Sequence, residues 1–238
     1  MPRFFAKPGA HTVTLTGEQA AHIQKALRMH PGEQLTVCDD GWDYLCSIRT
    51  FESGNVVCDI LQKQQNETEP DLDVTLYYCL PKGDKLEFVI QKAVELGVSR
   101  IVPVLSSRCV SRPDEKSAAK KLTRYNKIAL SACEQSGRGK CVPVLPTLPF
   151  AKAIEQLRDY DRSLFFYEGG GAPLQQAVTA CRSLAMLIGP EGGFSPEEAT
   201  AAQDAGAVPV TLGKRILRTE TAPLVALTAV MLLTGNME

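Results

Sequence analysis

The chain has 238 residues, 44% of them hydrophobic, and carries 26 Lys and Arg against 27 Asp and Glu. That length accommodates one large domain or two ordinary ones, and that apolar share fills a core, which excludes a disordered or fibrous chain. The near balance of charge excludes a global field for polyanions, so any such site must be local.

The longest apolar run, Ala222 to Leu233, is about half of the ~20 residues that a membrane helix needs. The opening Met-Pro-Arg-Phe-Phe lacks the apolar segment of a signal peptide. A cytoplasmic protein without membrane association is expected. The eight cysteines include no C-x-x-C pair, and His11, His22 and His30 all precede residue 31, far from most of the thiols. No metal site is expected. Cys79, Cys133 and Cys181 sit within apolar or helical patterns and read as small, reduced hydrophobes.

From the N-terminus, Gly17 to Arg28 has a helical pattern. Glu33 to Cys38, Tyr44 to Thr50 and Asn55 to Leu61 are short β-rich runs, punctuated by His30-Pro31-Gly32 and Asp39-Asp40-Gly41. This predicts a small β-barrel with one helix. Gln62 to Asp71, QKQQNETEPD, is almost devoid of apolar residues and marks a boundary between domains at 1–68 and 72–238. Beyond it, strand-like runs alternate with helical ones: Val74 to Leu80, Ile101 to Leu105, Val142 to Leu145, Leu164 to Tyr167, Leu184 to Ile188 and Val208 to Leu212. The helical stretches include Lys85 to Leu96, closed by Gly97, and Ser117 to Ser136. Such alternation predicts an α/β domain on a mostly parallel sheet. Ligands of such sheets gather where strands end and helix-leading loops begin.

Two loops in the last third fit that description. SLAMLIGPEGGFSPEEA (Ser183 to Ala199) reads as a strand, the loop Gly189-Pro190-Glu191-Gly192-Gly193, and a helix opened by Ser195 and Pro196 with Glu198 completing a capping box. The spacing matches neither a Rossmann nor a Walker fingerprint. Glu191 suits hydroxyl, amine or cationic groups better than a triphosphate. A tight turn without any ligand fits this loop alone as well as a site does. In the second loop Gly213 ends a strand, and Lys214, Arg215 and Arg218 surround Ile216-Leu217. Thr219-Glu220-Thr221-Ala222-Pro223 then reads as a helix start with a capping Thr.

Together, IGPEGGFSPEE and LGKRILRTETAPLVAL resemble the signature of the RsmE-type enzymes of the SPOUT superfamily. PKGDKLEFVIQKAVELGVSRIVPV (Pro81 to Val104), SSRCVS (Ser106 to Ser111) and SACEQSGRGKCVPV (Ser131 to Val144) resemble the family's other blocks in the same order. RFF (Arg3 to Phe5) and KALRMHPGEQLTVCDDG (Lys25 to Gly41) resemble its PUA-like RNA-binding domain. The resemblance covers essentially the whole chain. It implies S-adenosylmethionine-dependent methylation of N3 of a uridine in 16S ribosomal RNA of the small subunit, and a homodimer. It also implies a SPOUT-type parallel sheet ending in a deep trefoil knot, which topology rules alone argue against.

Carried onto this chain, the family's cofactor pocket falls on Leu187, Ile188, Gly189, Glu191 and Gly193 in one loop. In the other it falls on Leu212, Gly213, Ile216, Leu217 and Arg218, with the end of the Leu164 to Tyr167 strand and Glu168 as a third wall. Candidates for the chemistry are Arg138 or Arg218 as a cation favouring the uracil anion, Glu95 or Glu220 as base or orienter, and Gln135 as a positioning group. Glu95 and Gln135 read equally well as polar residues of helix faces. Between Arg108 and Lys140 there are nine Lys or Arg and three acids, a local excess suited to phosphates. Arg108, Arg112 and Arg138 are taken from it as RNA contacts, while Lys116, Lys120, Lys121 and Arg124 fit a solvated helix face equally well. Arg3, Lys25, Arg28 and His30 are the candidates in the first domain. The rival readings are a SPOUT enzyme acting on another base, on ribose 2′-OH or on transfer RNA, and a noncatalytic RNA-binding assembly factor.

Overall fold

The structure is a computed structural model and describes residues 1–237. The chain divides into two units, Met1–Glu69 with Cys133–Cys141, and Pro70–Ala132 with Val142 onward. The segment 133–141, which the sequence reading leaves inside the second domain, belongs to the first.

The first unit contains β1 (Arg3–Phe5), β2 (Thr12–Leu15), α1 (Gly17–Ala21), β3 (Gln34–Asp39), β4 (Trp42–Glu52) and β5 (Asn55–Gln65). They form one sheet in the order β1-β3-β4-β5-β2, in which only β1 and β3 run parallel. Asp40-Gly41 and Ser53-Gly54 form the two-residue turns of the hairpins, all four with positive φ, as the twist of paired strands requires. Two register shifts between β4 and β5, at Leu45/Cys46 and Ile48/Thr50, bend the long hairpin. Leu15, Ile23, Leu35, Val37, Cys46, Ile48, Val56 and Cys58 form its core. The expected helix continues past α1 as a π-helical turn, His22–Ala26.

Into this unit the segment 133–141 brings Arg138, whose guanidinium donates to Glu69 through Nε at 2.9 Å and Nη2 at 2.8 Å. The amides of Gly139 and Lys140 donate to the same carboxylate. Although burial opposes it, Arg138 and these amides hold the Glu69 carboxyl below its ordinary value. Arg3 is engaged in the same way, donating to both carboxylate oxygens of Asp43 at 2.7 and 3.0 Å.

The second unit contains β6 (Asp73–Cys79), α2 (Lys85–Glu95), β7 (Arg100–Leu105), α3 (Glu115–Ser136, its last turn counted with the first unit), β8 (Leu148–Pro149), α4 (Phe150–Gln156) and β9 (Arg162–Phe166). It continues with β10 (Ala172–Pro173), α5 (Leu174–Ala177), β11 (Ser183–Ile188), α6 (Pro196–Asp204), β12 (Val208–Thr211) and α7 (Ala222–Leu233). Its seven strands follow the order β10-β12-β9-β11-β6-β7-β8, and every pairing is parallel. Residues Leu184 to Leu187 of central β11 are all at 0% exposure, because a parallel strand covered on both faces must be apolar throughout. Helix α2 buries Leu86, Val89, Ile90, Ala93 and Val94 along one stripe, each large aliphatic contributing about 1.5–3 kcal/mol when fully buried.

The expected strand at Val142 to Leu145 is not formed. Val144 makes one isolated bridge to Ile101, and the carbonyl of Pro143 accepts from the Ile101 amide. Pro143 has no N–H to extend the ladder, and the pairing with β7 passes to β8 instead. No helix among the described residues is long and apolar enough to cross a membrane. No group of three or more His, Cys, Asp or Glu among them could hold a metal ion.

Candidate active site

Strands β12, β9 and β11 are neighbours, and the loops leaving their C-terminal ends enclose a cavity of about 480 Å3. That volume lies within the range of small-molecule and cofactor sites. The first wall is Phe166 at the end of β9 with Tyr167 and Glu168 after it. The second is Ile188 at the end of β11 with Gly189, Pro190, Glu191, Gly193 and Phe194 after it, and the third runs from Val210 in β12 to Thr219 beyond it. Lys85 and Ala222, each at a helix start, complete it.

The glycine loop is held from both ends. Ser195 caps α6, its hydroxyl accepting from the Glu198 amide at 3.2 Å while Glu198 accepts from the Ser195 amide at 3.0 Å. The other oxygen of Glu198 accepts from the Ser107 amide at 2.7 Å, which ties the helix start to the segment after β7. Phe194 is buried, its ring 4.8 Å from that of Phe165. Gly193 sits at φ +63°, and a Cβ there would lie 2.8 Å from Glu168 Oε1. The turn thus needs a residue tolerant of the left-handed region, in a place where two walls of the cavity nearly touch.

The loop after β12 is anchored differently from the sequence expectation. Thr221 makes no side-chain capping bond to α7. Thr219 does the anchoring: its hydroxyl donates to the Gly189 carbonyl at 3.1 Å, and the Tyr78 hydroxyl donates to the Thr219 carbonyl at 2.9 Å. This chain links β6, the glycine loop and the entry to α7. Burial pushes the Tyr78 phenol up, so it remains a donor.

Charge at the rim converges on Lys85. Its ammonium lies 3.0 Å from Glu191 Oε1 and 3.1 Å from Glu220 Oε2. The second contact is an ion pair without hydrogen-bond alignment, since Glu220 Oε2 has no aligned donor. Glu191 also accepts from the Lys82 amide at 3.0 Å. Partial burial opposes ionisation of Glu191, but the Lys82 amide and the Lys85 ammonium outweigh it and hold the carboxyl below its ordinary value. Glu220 is held low by its own amide, by Lys85 and by Arg218.

Of the ten residues expected around the cofactor, nine line this cavity: Ile188, Gly189, Glu191, Gly193, Leu212, Gly213, Ile216, Leu217 and Arg218. Leu187 does not; it is fully buried in β11, in register with Tyr77 and Phe165. Glu220 stands beside the lining, joined to it through Lys85. Glu95 is away from the cavity, paired with Lys92 one helical turn earlier at 2.8 Å. Gln135 and Arg138 belong to the first unit, and Arg138, 4% exposed, is engaged by Glu69. Within the chain its guanidinium serves as an internal tie. Arg3 is paired in the same way with Asp43.

Lys25, Arg28 and His30 are exposed, and Arg28 has φ +53° directly after the π-helical turn. Left-handed non-glycine residues and π-turns both concentrate at functional positions. Arg108 is exposed and donates to the Gly192 carbonyl at 2.9 Å, and Arg112 donates to the Ser106 and Ser107 carbonyls. These acceptors are neutral carbonyls, and the Arg108 charge also acts on the Glu197 carboxylate. Tyr167, the end of the strand expected as a third wall, lines the cavity. Lys85 and Phe194 escaped the sequence reading as site residues. Only the block PKGDKLE hinted at the first.

Family models agree with this architecture. Residues 68–231 match an RNA methyltransferase domain, and residues 15–61 match an RNA methyltransferase PUA domain. The ribosomal RNA small subunit methyltransferase E of Bacillus subtilis (strain 168) is 35% identical over 230 residues, covering 93% of this chain and 90% of the relative. The Mycobacterium bovis protein of that name is 32% identical, with 92% and 86% covered. The crystal structure of a ribosomal RNA small subunit methyltransferase E from Neisseria gonorrhoeae bound to S-adenosyl methionine superposes with a TM-score of 0.90, at 37% identity over 98% of both chains. A PUA-like unit, a parallel sheet and a cavity built from these two motifs, matched over nearly the full length, make this chain a member of the ribosomal RNA small subunit methyltransferase E family.

Proposed function

We propose that this chain transfers a methyl group from S-adenosylmethionine to N3 of a uridine in small-subunit ribosomal RNA. The observation that carries this reading is the convergence of two loops, distant in sequence, on one cavity with Arg218 at its edge. The cavity suits the cofactor: Ile188, Leu212 and Leu217 offer apolar contact, and at Gly189 and Gly193 a Cβ would press on Phe194 and Glu168 of the lining. Those residues, with Gly189, Gly193 and Gly213, would hold it. When bound, the cofactor supplies a methyl already activated on a sulfonium.

The protein's part is then to place N3 in line and to ease loss of its proton. Arg218 is exposed at the cavity and favours the anionic uracil. Glu220, kept ionised by its neighbours, receives the imide proton. Because N3 is occupied in base pairing, the target uridine must be exposed first, which favours the assembled subunit as substrate. Lys25, Arg28, His30, Arg108 and Arg112 are the cations offered to phosphate.

A homodimer and a cytoplasmic location complete the proposal. Val225, Leu232 and Leu233 of α7 and Phe88 of α2 are exposed at 41–55%, an apolar surface suited to a second copy. A trefoil knot in the last third is part of the reading, in keeping with the solved relative from Neisseria gonorrhoeae that superposes over 98% of the chain. The test is mass-spectrometric mapping of small subunits from a deletion strain before and after incubation with the purified protein and cofactor. N3-methyluridine should be absent before and present after. Methyl on another base or on ribose would replace the specificity proposed here, and no transfer at all would favour an assembly factor.

A further inference from the structure

We propose that Lys85 is a positioning residue for the methyl transfer, pinning Glu220 at the edge of the reacting site and coupling it through Glu191 to the glycine loop. The inference rests on the reading of Glu220 as proton acceptor. Lys85 stands at the first position of α2, where a cation is disfavoured by the positive end of the helix. Its place there is explained by two carboxylates from two different loops, at 3.0 and 3.1 Å. Glu191 has a second tether to another element in the Lys82 amide, whereas Glu220, beyond its own amide and the Arg218 charge of its own loop, is held among the described residues by its ion pair with Lys85. Loss of Lys85 therefore frees Glu220 far more than it frees the glycine loop.

The groups facing Glu220 are Lys85 from α2, Arg218 from its own loop, Glu191 from the glycine loop and Tyr78 from β6. Removing the Lys85 ammonium leaves the nearby Glu191 charge less compensated, and the Glu220 carboxyl rises. Because the acceptor must be ionised, the acid limb of the rate profile should then move to higher pH.

The experiment uses the full chain, small subunits from a deletion strain and S-adenosylmethionine. For Lys85→Met we expect kcat to fall about 10–100-fold, the scale of a misplaced reacting group, with cofactor affinity held within about threefold by the remaining tethers. The acid limb should shift upward, Lys85→Arg should restore most of the rate, and Lys85→Met should add little to the loss caused by Glu220→Gln. An unmoved acid limb, or fully additive losses in the double variant, would overturn the proposal. So would loss of cofactor binding in Lys85→Met, which would make Lys85 a cofactor ligand instead. Failure of the wild-type protein to methylate N3 would strike the underlying function, and is seen before any variant is compared.

Discussion

Gly193 offers the most direct test of the cavity. Its φ of +63° costs an L-residue roughly 1–2 kcal/mol, and the added Cβ of Gly193→Ala would stand 2.8 Å from Glu168 Oε1. Glu168 can swing its carboxylate aside, so the backbone strain decides the outcome. If the loop relieves that strain by leaving its binding geometry, S-adenosylmethionine affinity falls about 5–30-fold, at 1.4 kcal/mol per factor of ten. Gly193→Val, β-branched and so less tolerant of this region, should abolish measurable binding by isothermal calorimetry while circular dichroism stays native. Gly206→Ala is the control: φ is +90° with nothing within 4 Å of its Cβ, and it lies off the cavity. It should lower the melting temperature without changing affinity. Gly193→Val binding within twofold of wild type would refute the assignment of this loop to the cofactor.

Three further outcomes are expected. Arg218→Ala should reduce turnover much more than cofactor affinity in steady-state assays, whereas equal losses would make it a binding residue. Glu69→Ala leaves Arg138 buried without its carboxylate and should destabilise the first unit by about 3 kcal/mol in denaturant unfolding. The low carboxyl pKa of Glu69 gives stability that is full above the unfolded value and lost as pH falls through the folded one, so this loss should shrink in acid. Equal stability of Glu69→Ala and wild type at neutral pH would refute the Glu69–Arg138 pair as a structural tie. Tyr78→Phe strips the Thr219 carbonyl of its buried donor and should cost about 1–3 kcal/mol, read as a lower melting temperature that bound cofactor partly recovers.

What was legible in the sequence, and what was not, follows the range of the interactions. The turn before α6 could be read because Ser195, Pro196 and Glu198 interact within three residues and the capping box has a local grammar. The alternation of strands and helices showed for the same reason, since burial on both faces makes β11 apolar from end to end. Lys85 was silent because its partners lie more than 100 residues away. The partners of Arg3 and Arg138 were silent because a sequence counts charges without pairing them, and Asp43 and Glu69 are distant along the chain. Val142 to Leu145 carried a strand's composition, yet Pro143 denied it the ladder.

The membership of residues 133–141 in the first unit also sets a timetable. A chain leaves the ribosome from its N-terminus, at about 5–20 residues per second, so Cys141 follows Glu69 by roughly 4–14 s. Throughout that interval the five-stranded sheet is already synthesised, while Glu69 lacks Arg138 and Asn66 lacks the Gly137 carbonyl. The domain that begins the chain is therefore finished only after β6, α2 and β7 have been made, and its nascent form carries an acidic, incompletely satisfied edge during much of its own translation.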